Sequence, residues 1–206
     1  MQLFDAASLS EGGLKQILTF LRSGGVIAFP TDTAYGLGAD PFSETAVRTI
    51  FDIKGRPETK PVLLLVNSIA MAQSIADLSD KAIALAERFW PGPLTMVVPA
   101  HNTVPAIVTA GTGTIGLRWP NAAFATRLLD DFQRPITATS ANRTGCPAAV
   151  TVAEVREQLE GSIELIVDGG TLPTRGGSTM VDLTETPARL LREGPIREAE
   201  LSDVLR

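Results

Sequence analysis

The chain has 206 residues, of which 44% are hydrophobic and 20% charged, a composition typical of a globular protein that buries a substantial core. Its formal net charge of −5 argues against an extended nucleic-acid-coating surface, which normally requires a basic face, but still allows a local basic pocket for a nucleotide. A single cysteine excludes an internal disulfide, and a single histidine excludes a Cys/His metal cluster.

Hydrophobic periodicity, capping residues and Gly/Pro breakers together predict helices and strands that intermingle along the whole chain. The clearest pattern is Leu14, Ile17, Leu18 and Leu21, which share one face of a helix. The predicted helices cover residues 10–24, 43–55, 68–76, 79–89, 122–132, 151–159 and 198–205, and the predicted strands cover 26–29, 62–66, 94–98, 114–118, 136–139, 163–167, 179–183 and 188–192. The predicted loops and turns are 31–38, 102–113 and 140–142, and the first of them has the hydroxyl-rich and glycine-rich composition of a ligand-facing loop.

This alternation predicts a single α/β (α+β) domain that covers residues 1–206. Its expected architecture is a twisted, open, mixed sheet flanked by helices. The sequence contains no repeat, no low-complexity tract and no linker-like run of charge. A division of the chain near residues 100–113, which are rich in Gly, Pro and Thr, is the alternative.

The start of the chain resembles no targeting segment. It has neither a basic stretch nor the apolar core of a secretory signal. No apolar run approaches the roughly 20 residues that span a bilayer. We therefore expect a cytoplasmic protein that does not cross a membrane.

Three basic side chains, Lys54, Arg56 and Lys60, lie in a short loop that leads into an apolar run. On composition alone, this cluster fits an exposed basic loop and an anion site equally well. In open α/β sheets, ligands bind where strands end and loops cluster, so further polar segments at strand ends favour the anion site. Such segments are Thr31–Thr33, Arg118, Ser140–Asn142 and Gly176–Thr179, and the arginine among them requires an anionic partner from the protein or from a ligand.

Other motifs favour structural roles. Residues 111–116 match the pattern G-x-G-x-x-G, but they follow a loop and do not open a helix, so they are not a dinucleotide fingerprint. His101 is predicted to be a surface loop residue, and Cys146 a small packing residue rather than a nucleophile. Asp168, which begins an Asp-Gly-Gly segment after a strand, is predicted to form a structural turn rather than a metal site.

Seven segments of the chain resemble, in the same order, motifs of the YrdC-like (TsaC) threonylcarbamoyl-AMP synthases. Each segment alone has little specificity, but seven in order, from about residue 8 to residue 197, are highly specific. The K-x-R and S-x-N pair is similar to the catalytic branch of the family, and the chain is similar to its short single-domain form. The segments are Pro30–Gly38, Lys54–Pro57, Trp90–Thr95, Leu117–Pro120, Ser140–Asn142, Gly177–Asp182 and Leu191–Gly194.

The resemblance implies the YrdC-like fold and a nucleotidyltransferase that joins L-threonine, bicarbonate and ATP into threonylcarbamoyl-AMP, with release of pyrophosphate. Mg²⁺ is expected to accompany ATP, and no metal site of the protein itself is expected. The product would feed the tRNA threonylcarbamoyl-transferase machinery, which modifies tRNA beside the anticodon. Two alternatives remain open: a non-catalytic module that binds double-stranded RNA, and an adenylating or carbamoylating enzyme with another acyl acceptor.

The resemblance also implies roles for individual residues. A carbamate formed on the threonine amine attacks the α-phosphorus of ATP, so the protein must hold two anions in line and stabilise the leaving pyrophosphate. Lys54 and Arg56 are the expected catalytic residues; Arg56, Lys60, Thr114, Ser140, Asn142 and Arg192 are expected to bind ATP; and Thr33, Arg118 and Ser178 are expected to bind threonine.

The chain departs from the family pattern in two places. Members often carry Asn-Pro-Leu where this chain has Lys60–Val62, and a histidine where it has Leu65. A lysine still suits a phosphate partner. A leucine cannot replace a histidine contact to the amino acid, so Leu65 is the position expected to bear on amino-acid selectivity.

Overall fold

The computed structural model describes residues 1–159, 161–173 and 176–205. The strands are β1 (Gln2–Asp5), β2 (Ile27–Pro30), β3 (Tyr35–Gly38), β4 (Leu64–Leu65), β5 (Leu94–Pro99), β6 (Thr114–Arg118), β7 (Ile136–Thr137), β8 (Thr139–Ser140), β9 (Leu165–Asp168), β10 (Thr179–Asp182) and β11 (Arg189–Arg192). The helices are α1 (Glu11–Arg22), α2 (Glu44–Lys54), α3 (Ile69–Gln73), α4 (Asp80–Phe89), α5 (Ala106–Thr109), α6 (Ala123–Phe132), α7 (Val152–Leu159), a 3₁₀-helix (Glu198–Leu201) and α8 (Ser202–Leu205).

The strands form two mixed sheets. Among the described residues, the first sheet has five strands in the order β1-β9-β2-β3-β8, and the second has six in the order β11-β10-β5-β6-β4-β7. The pairs β1–β9, β2–β9, β5–β10 and β4–β6 are parallel and the other neighbours antiparallel. The predicted α/β fold with mixed strands and flanking helices is therefore confirmed, but the strands divide into two sheets instead of forming one.

Serine caps determine where four of the helices begin. The side chains of Ser10, Ser43, Ser68 and Ser79 each accept a hydrogen bond from the backbone N–H three residues later, at 3.0–3.3 Å. Helix α2 ends at Gly55, whose φ of 57° lies in the left-handed region that favours glycine. These local signals explain why the helices lie close to their predicted positions.

Helices cover both faces of the first sheet. Because successive side chains of a strand point to opposite faces, Phe29 and Leu165 pack on one side with helices α1 and α6. Ala28, Leu37 and Ile166 pack on the other side with helices α2 and α7. The first sheet is thus a central layer between two pairs of helices.

The second sheet has one face in an apolar core and one face toward a cleft. On β5, β6 and β10, every second residue packs against α3, α4 and α5, and the intervening residues point the other way. The buried positions are Leu94, Met96, Val98, Ile115, Leu117 and Val181, and the intervening ones are Thr95, Val97, Thr114, Gly116, Arg118, Met180 and Asp182.

The chain crosses from the second sheet to the first at Ala138. Strand β7 pairs antiparallel with β4 in the second sheet, whereas β8 pairs antiparallel with β3 in the first. The prediction of one strand over 136–139 is therefore wrong, because each half pairs with a different partner. This crossing places Ser140 beside β3.

Three other predicted segments are corrected. Residues 35–38 form strand β3 rather than loop, because β2 and β8 pair with them on either side. Within the predicted strand 62–66, the structure has the shorter strand β4 at Leu64–Leu65. The predicted loop 102–113 contains helix α5, which packs into the core of the second sheet. Strand β1 had no sequence prediction.

In the part of the chain that the structure describes, no helix has both the length and the apolar character needed to cross a bilayer.

Candidate active site

The open face of the second sheet and an edge of the first sheet enclose a cleft of about 620 Å³. Strands β5, β6, β10 and β11 contribute side chains from the second sheet, and β3 and β8 contribute from the first. The lining combines hydroxyl, amide and guanidinium groups and the carboxylate of Asp182 with apolar side chains. Its volume lies within the range of about 300–1,000 Å³ that is usual for small-molecule sites.

Eight of the ten predicted site residues line this cleft, although they come from segments between positions 33 and 192 of the chain. The fold therefore brings the separate motifs together. The eight are Thr33, Arg56, Thr114, Arg118, Ser140, Asn142, Ser178 and Arg192. The other two, Lys54 and Lys60, are not part of the lining.

Lys54 is buried, with 4% of its surface exposed, and its ammonium binds the turn at 140–142. The Nζ atom donates to the carbonyl oxygen of Ser140, to that of Asn142 at 2.8 Å, and to Asn142 Oδ1 at 3.5 Å. Burial, together with the positive charge of Arg56, lowers the pKa of Lys54 to about 8. Lys54 thus supports residues that face the cleft, although Lys54 itself does not line the cleft.

Arg56 presents a cation to the cleft from the loop after α2. Its Nη2 donates to the carbonyl oxygens of Pro61 at 2.7 Å and of Lys60 at 3.5 Å. Its Nε is buried and has no hydrogen-bond partner among the described residues. Leaving such a donor unsatisfied costs about 1–3 kcal/mol. Burial lowers the pKa of Arg56, but an arginine stays charged at neutral pH.

Arg118 is held by three partners at the end of β6. Nη2 donates to Asp32 Oδ1 at 2.5 Å, Nη1 to Thr33 Oγ1 at 3.0 Å, and Nε to the carbonyl oxygen of Gly92 at 3.1 Å. The side chains of Arg118 and Asp32 are only 6% and 15% exposed. Burial lowers the pKa of Arg118, and the carboxylate of Asp32 opposes that shift. These contacts fix the orientation of the guanidinium.

Arg192 forms a second anchored cation near Arg118. Its Nε donates to the carbonyl oxygen of Ser178 at 2.9 Å, and its Nη2 to Ser178 Oγ at 3.3 Å. The hydroxyls of Ser178 and Thr95 lie 2.5 Å apart. A Cβ at Gly177 would lie 2.5 Å from Arg192 Cζ, so only glycine allows this approach. Burial, with the charge of Arg118 as a smaller cause, lowers the pKa of Arg192.

The cleft therefore contains two cationic groups: Arg56 beside the turn at 140–142, and Arg118 with Arg192. Guanidinium groups in this setting bind carboxylates and phosphates through charge-assisted hydrogen bonds. The arrangement suits ligands that carry anionic groups at two places. The described residues contain no group of three or more His, Cys, Asp or Glu side chains that could hold a metal ion.

The sequence profile of the Sua5/YciO/YrdC family, described as telomere recombination, matches residues 19–194. The chain belongs to this family. It is 42% identical to the threonylcarbamoyl-AMP synthase of Pyrococcus abyssi over 96% of its own length and 58% of that protein. The chain is 34% identical to the threonylcarbamoyl-AMP synthase of Bacillus subtilis, over 98% of this chain and 59% of that protein. The chain thus spans just under three-fifths of these two relatives.

Relatives of similar length and solved structures agree with this family assignment. The putative threonylcarbamoyl-AMP synthase of Mycobacterium leprae is 36% identical over 99% of this chain and 94% of its own. The structure of P. abyssi Sua5 complexed with L-threonine superimposes with a TM-score of 0.94 at 38% identity, covering 100% of this chain and 61% of that one. The structure of Escherichia coli YciO superimposes with a TM-score of 0.87 at 26% identity, covering 95% of this chain and 97% of that one.

Two residues of this family member were not predicted as site residues although both lie in segment Pro30–Gly38. Asp32 binds Arg118, and Tyr35 lines the cleft. The Tyr35 hydroxyl accepts from Gly169 N at 2.9 Å and donates to the carbonyl oxygen of Gly170 at 2.8 Å. Burial raises the pKa of Tyr35 to about 12, against the effect of the Gly169 hydrogen bond. The signal in the sequence that could have identified both residues is the polar segment directly after a predicted strand.

Asp168, at the end of β9, contacts both the segment that follows it and strand β3. Asp168 Oδ1 accepts a hydrogen bond from Gly170 N at 2.8 Å and lies 3.2 Å from the Tyr35 hydroxyl. These contacts anchor strand β3 to the segment after β9, and the choice of a structural role over a metal site stays a prediction.

Leu65 and Cys146 also line the cleft. Leu65 is 1% exposed and is the register partner of Arg118 between β4 and β6. Its expected bearing on amino-acid selectivity stays a prediction. Cys146 is exposed, so its predicted packing role is wrong. The reason is that the chain turns here, and the Cys146 carbonyl accepts from Asn142 Nδ2 at 2.7 Å.

Proposed function

We propose that the protein is an L-threonylcarbamoyl-AMP synthase, which forms threonylcarbamoyl-AMP and pyrophosphate from L-threonine, bicarbonate and MgATP. The observation that carries the proposal is one cleft lined by three guanidinium groups, those of Arg56, Arg118 and Arg192, of which the last two lie near each other. The names of the relatives and the threonine complex of P. abyssi Sua5 support it. Because both sheets line the cleft, we also propose that residues 1–206 act as one domain.

The proposed reaction requires no nucleophile from the protein. The threonine amine forms a carbamate with bicarbonate, with loss of water, or with CO₂, with loss of a proton. A carbamate oxygen then attacks the α-phosphorus of ATP, and the bond from that phosphorus to the oxygen bridging to the β-phosphate breaks to release pyrophosphate. The protein contributes by holding the two anions in line and by stabilising charge on the leaving group. Magnesium enters with ATP as part of that substrate.

In the amino-acid subsite, Arg118 is proposed to bind the threonine carboxylate. Three of its N–H groups already have partners in Asp32, Thr33 and Gly92, which leaves two of the five guanidinium N–H groups for a carboxylate. The hydroxyls of Thr33 and Ser178 line the same part of the cleft and are proposed to bind the amino acid.

In the nucleotide subsite, Arg56 is proposed to bind phosphate, with Thr114, Ser140, Asn142 and Arg192 as further contacts. All five line the cleft. Lys54 is proposed to contribute by fixing the turn at 140–142. The contact predicted for Lys60 stays a prediction, since its side chain is exposed and does not line the cleft.

The product is proposed to pass, in the cytoplasm, to the enzyme that transfers threonylcarbamoyl groups to tRNA. A non-catalytic module that binds double-stranded RNA is not favoured, because the named relatives are synthases and the net charge is −5. Binding of RNA in a filter assay across a range of salt concentrations would reveal that activity by its steep salt dependence.

The decisive experiment measures pyrophosphate release with ATP, Mg²⁺ and bicarbonate, with and without L-threonine. Pyrophosphate release is expected to depend on threonine, and an equal rate of release with and without threonine would refute the proposal. Serine and other amino acids in place of threonine test whether Leu65 changes the acceptor. In thermal-shift measurements, ATP and threonine together are expected to stabilise the protein by more than the sum of their separate effects.

A further inference from the structure

The charge of Arg118 is partly neutralised by a carboxylate that does not line the cleft. Asp32 Oδ1 lies 2.5 Å from Arg118 Nη2. Arg118 lines the 620 Å³ cleft, whereas Asp32 lines a second cavity of about 450 Å³, and Thr33 lines both. Asp32 therefore acts on the cleft through Arg118 and not by direct contact with its contents.

This placement bears on a difficulty that the proposed reaction creates. The phosphates of ATP, the released pyrophosphate and the amino-acid carboxylate are all anions in one cleft. Arg118 and Arg192 are close enough for the charge of the first to lower the pKa of the second. Two neighbouring guanidinium groups attract a multiply charged phosphate more strongly than a single carboxylate, because Coulomb energy scales with ligand charge.

We propose that Asp32 is a specificity-determining residue, which limits Arg118 to a singly charged amino-acid carboxylate and keeps phosphate groups off this guanidinium. It does so by placing its negative charge against Arg118, so that phosphate binds at Arg192, a proposed nucleotide contact, and not at Arg118. This inference rests on the proposed function and adds to it the means by which the two subsites are kept distinct. Coulomb repulsion between two unit charges about 8 Å apart, at an effective dielectric constant of about 20, corresponds to at least about tenfold in affinity for each ligand charge.

The substitution Asp32→Asn separates charge from geometry, because the amide oxygen can still accept the hydrogen bond from Arg118. The matched control is Asp40→Asn. The side chain of Asp40 is 11% exposed, against 15% for Asp32. Its Oδ2 lies 3.3 Å from Arg134 Nη1, and Asp40 does not line the cleft. Both variants change the net charge by the same amount.

Calorimetric titration with pyrophosphate and with acetate, in the absence of ATP, measures the effect directly. Asp32→Asn is expected to bind pyrophosphate at least about tenfold more tightly than the wild type, with a smaller gain for acetate. Asp40→Asn is expected to match the wild type. The double variant Asp32→Asn with Arg118→Gln is expected to lose the gain, which would locate the new affinity at Arg118.

Steady-state kinetics give a second readout. Pyrophosphate is expected to compete with threonine more strongly in Asp32→Asn than in the wild type, whereas Asp32→Glu, which keeps the charge, is expected to behave as the wild type. Equal pyrophosphate affinity in Asp32→Asn and Asp40→Asn would overturn the inference. If Asp32→Asn does not fold, Asp32→Ser, which removes the same charge, takes the place of that variant in both experiments. The titration needs no turnover, so failure of the wild type to release pyrophosphate would refute the proposed function separately.

Discussion

Lys54 and Asn142 are joined by two hydrogen bonds, one from Nζ to the Asn142 carbonyl oxygen at 2.8 Å and one to its Oδ1 at 3.5 Å. The same ammonium donates to the carbonyl of Ser140, which lies 86 residues further along the chain. The last turn of α2 is thereby fastened to the turn after β8. The K-x-R and S-x-N segments are thus one structural unit, in which Arg56 faces the cleft and Lys54 supports it.

Replacing Lys54 with Met is expected to destabilise the protein by about 1–3 kcal/mol, because one buried and one part-buried carbonyl group lose their donor. The turn at 140–142 would also lose its support, so the KM for ATP should rise more than the KM for threonine. Urea denaturation and steady-state kinetics measure the two effects. Lys15→Met, at an exposed position of α1, is the control. An unchanged KM for ATP would show that Lys54 does not position the turn.

The stability contribution of Lys54 is expected to depend on pH. Its pKa is about 8 in the folded protein and 10.5 ordinarily. Because lysine is charged when protonated, the unfolded chain holds more protons between these values, so the contribution rises with pH across this window, and this increase is lost as pH falls to 8. The unfolding free energy of the wild type minus that of Lys54→Met should rise by up to about 1.4 kcal/mol per pH unit in this window. A constant difference would contradict the assignment.

Arg118→Lys is expected to lower kcat/KM for threonine by about tenfold to a hundredfold or more, with a smaller effect on the KM for ATP. Lysine keeps the charge but not the planar fork that Asp32, Thr33 and Gly92 hold in place. Arg127→Lys, at an exposed position of α6, serves as the control. Equal losses for both substrates would mean that Arg118 is not specific to the amino-acid subsite.

The parts of the fold that local chemistry determines could be predicted from the sequence. Helix α2 begins at Ser43 and ends at Gly55, as capping and glycine preferences require. Strand β3 could not be predicted, because besides the local hairpin with β2 it depends on pairing with β8, about a hundred positions further along the chain. The same holds for the segment around Ala138, where two adjacent short strands join different sheets.

The candidate site shows the same division. Motif resemblance was sufficient to select residues such as Arg56, Arg118 and Arg192, which the fold brings to one cleft. It could not give the direction of a side chain. Lys54 points to the backbone of a turn, and Asp32 reaches Arg118 from a second cavity. Both facts depend on how the elements pack and not on residue type or spacing.

Gly177→Ala tests the anchoring of Arg192. A Cβ at this position would lie 2.5–2.7 Å from the guanidinium atoms of Arg192, and the flexible side chain would move before the backbone does. The hydrogen bonds from Arg192 to Ser178, at 2.9 and 3.3 Å, would then be lost. Because each is worth about 1 kcal/mol net, the KM of a substrate held by Arg192 should rise by up to about thirtyfold, and the protein should lose up to about 2 kcal/mol of stability.

The matched control for Gly177→Ala is Gly12→Ala in α1, where the nearest atom to an added Cβ is Ser10 Oγ at 3.9 Å. This variant should keep wild-type kinetics and lose no stability, since alanine is the better helix former. Steady-state kinetics and thermal denaturation of both variants measure the difference. Wild-type KM values in Gly177→Ala would mean that the contacts between Arg192 and Ser178 do not support substrate binding, and that glycine is needed at 177 for packing alone.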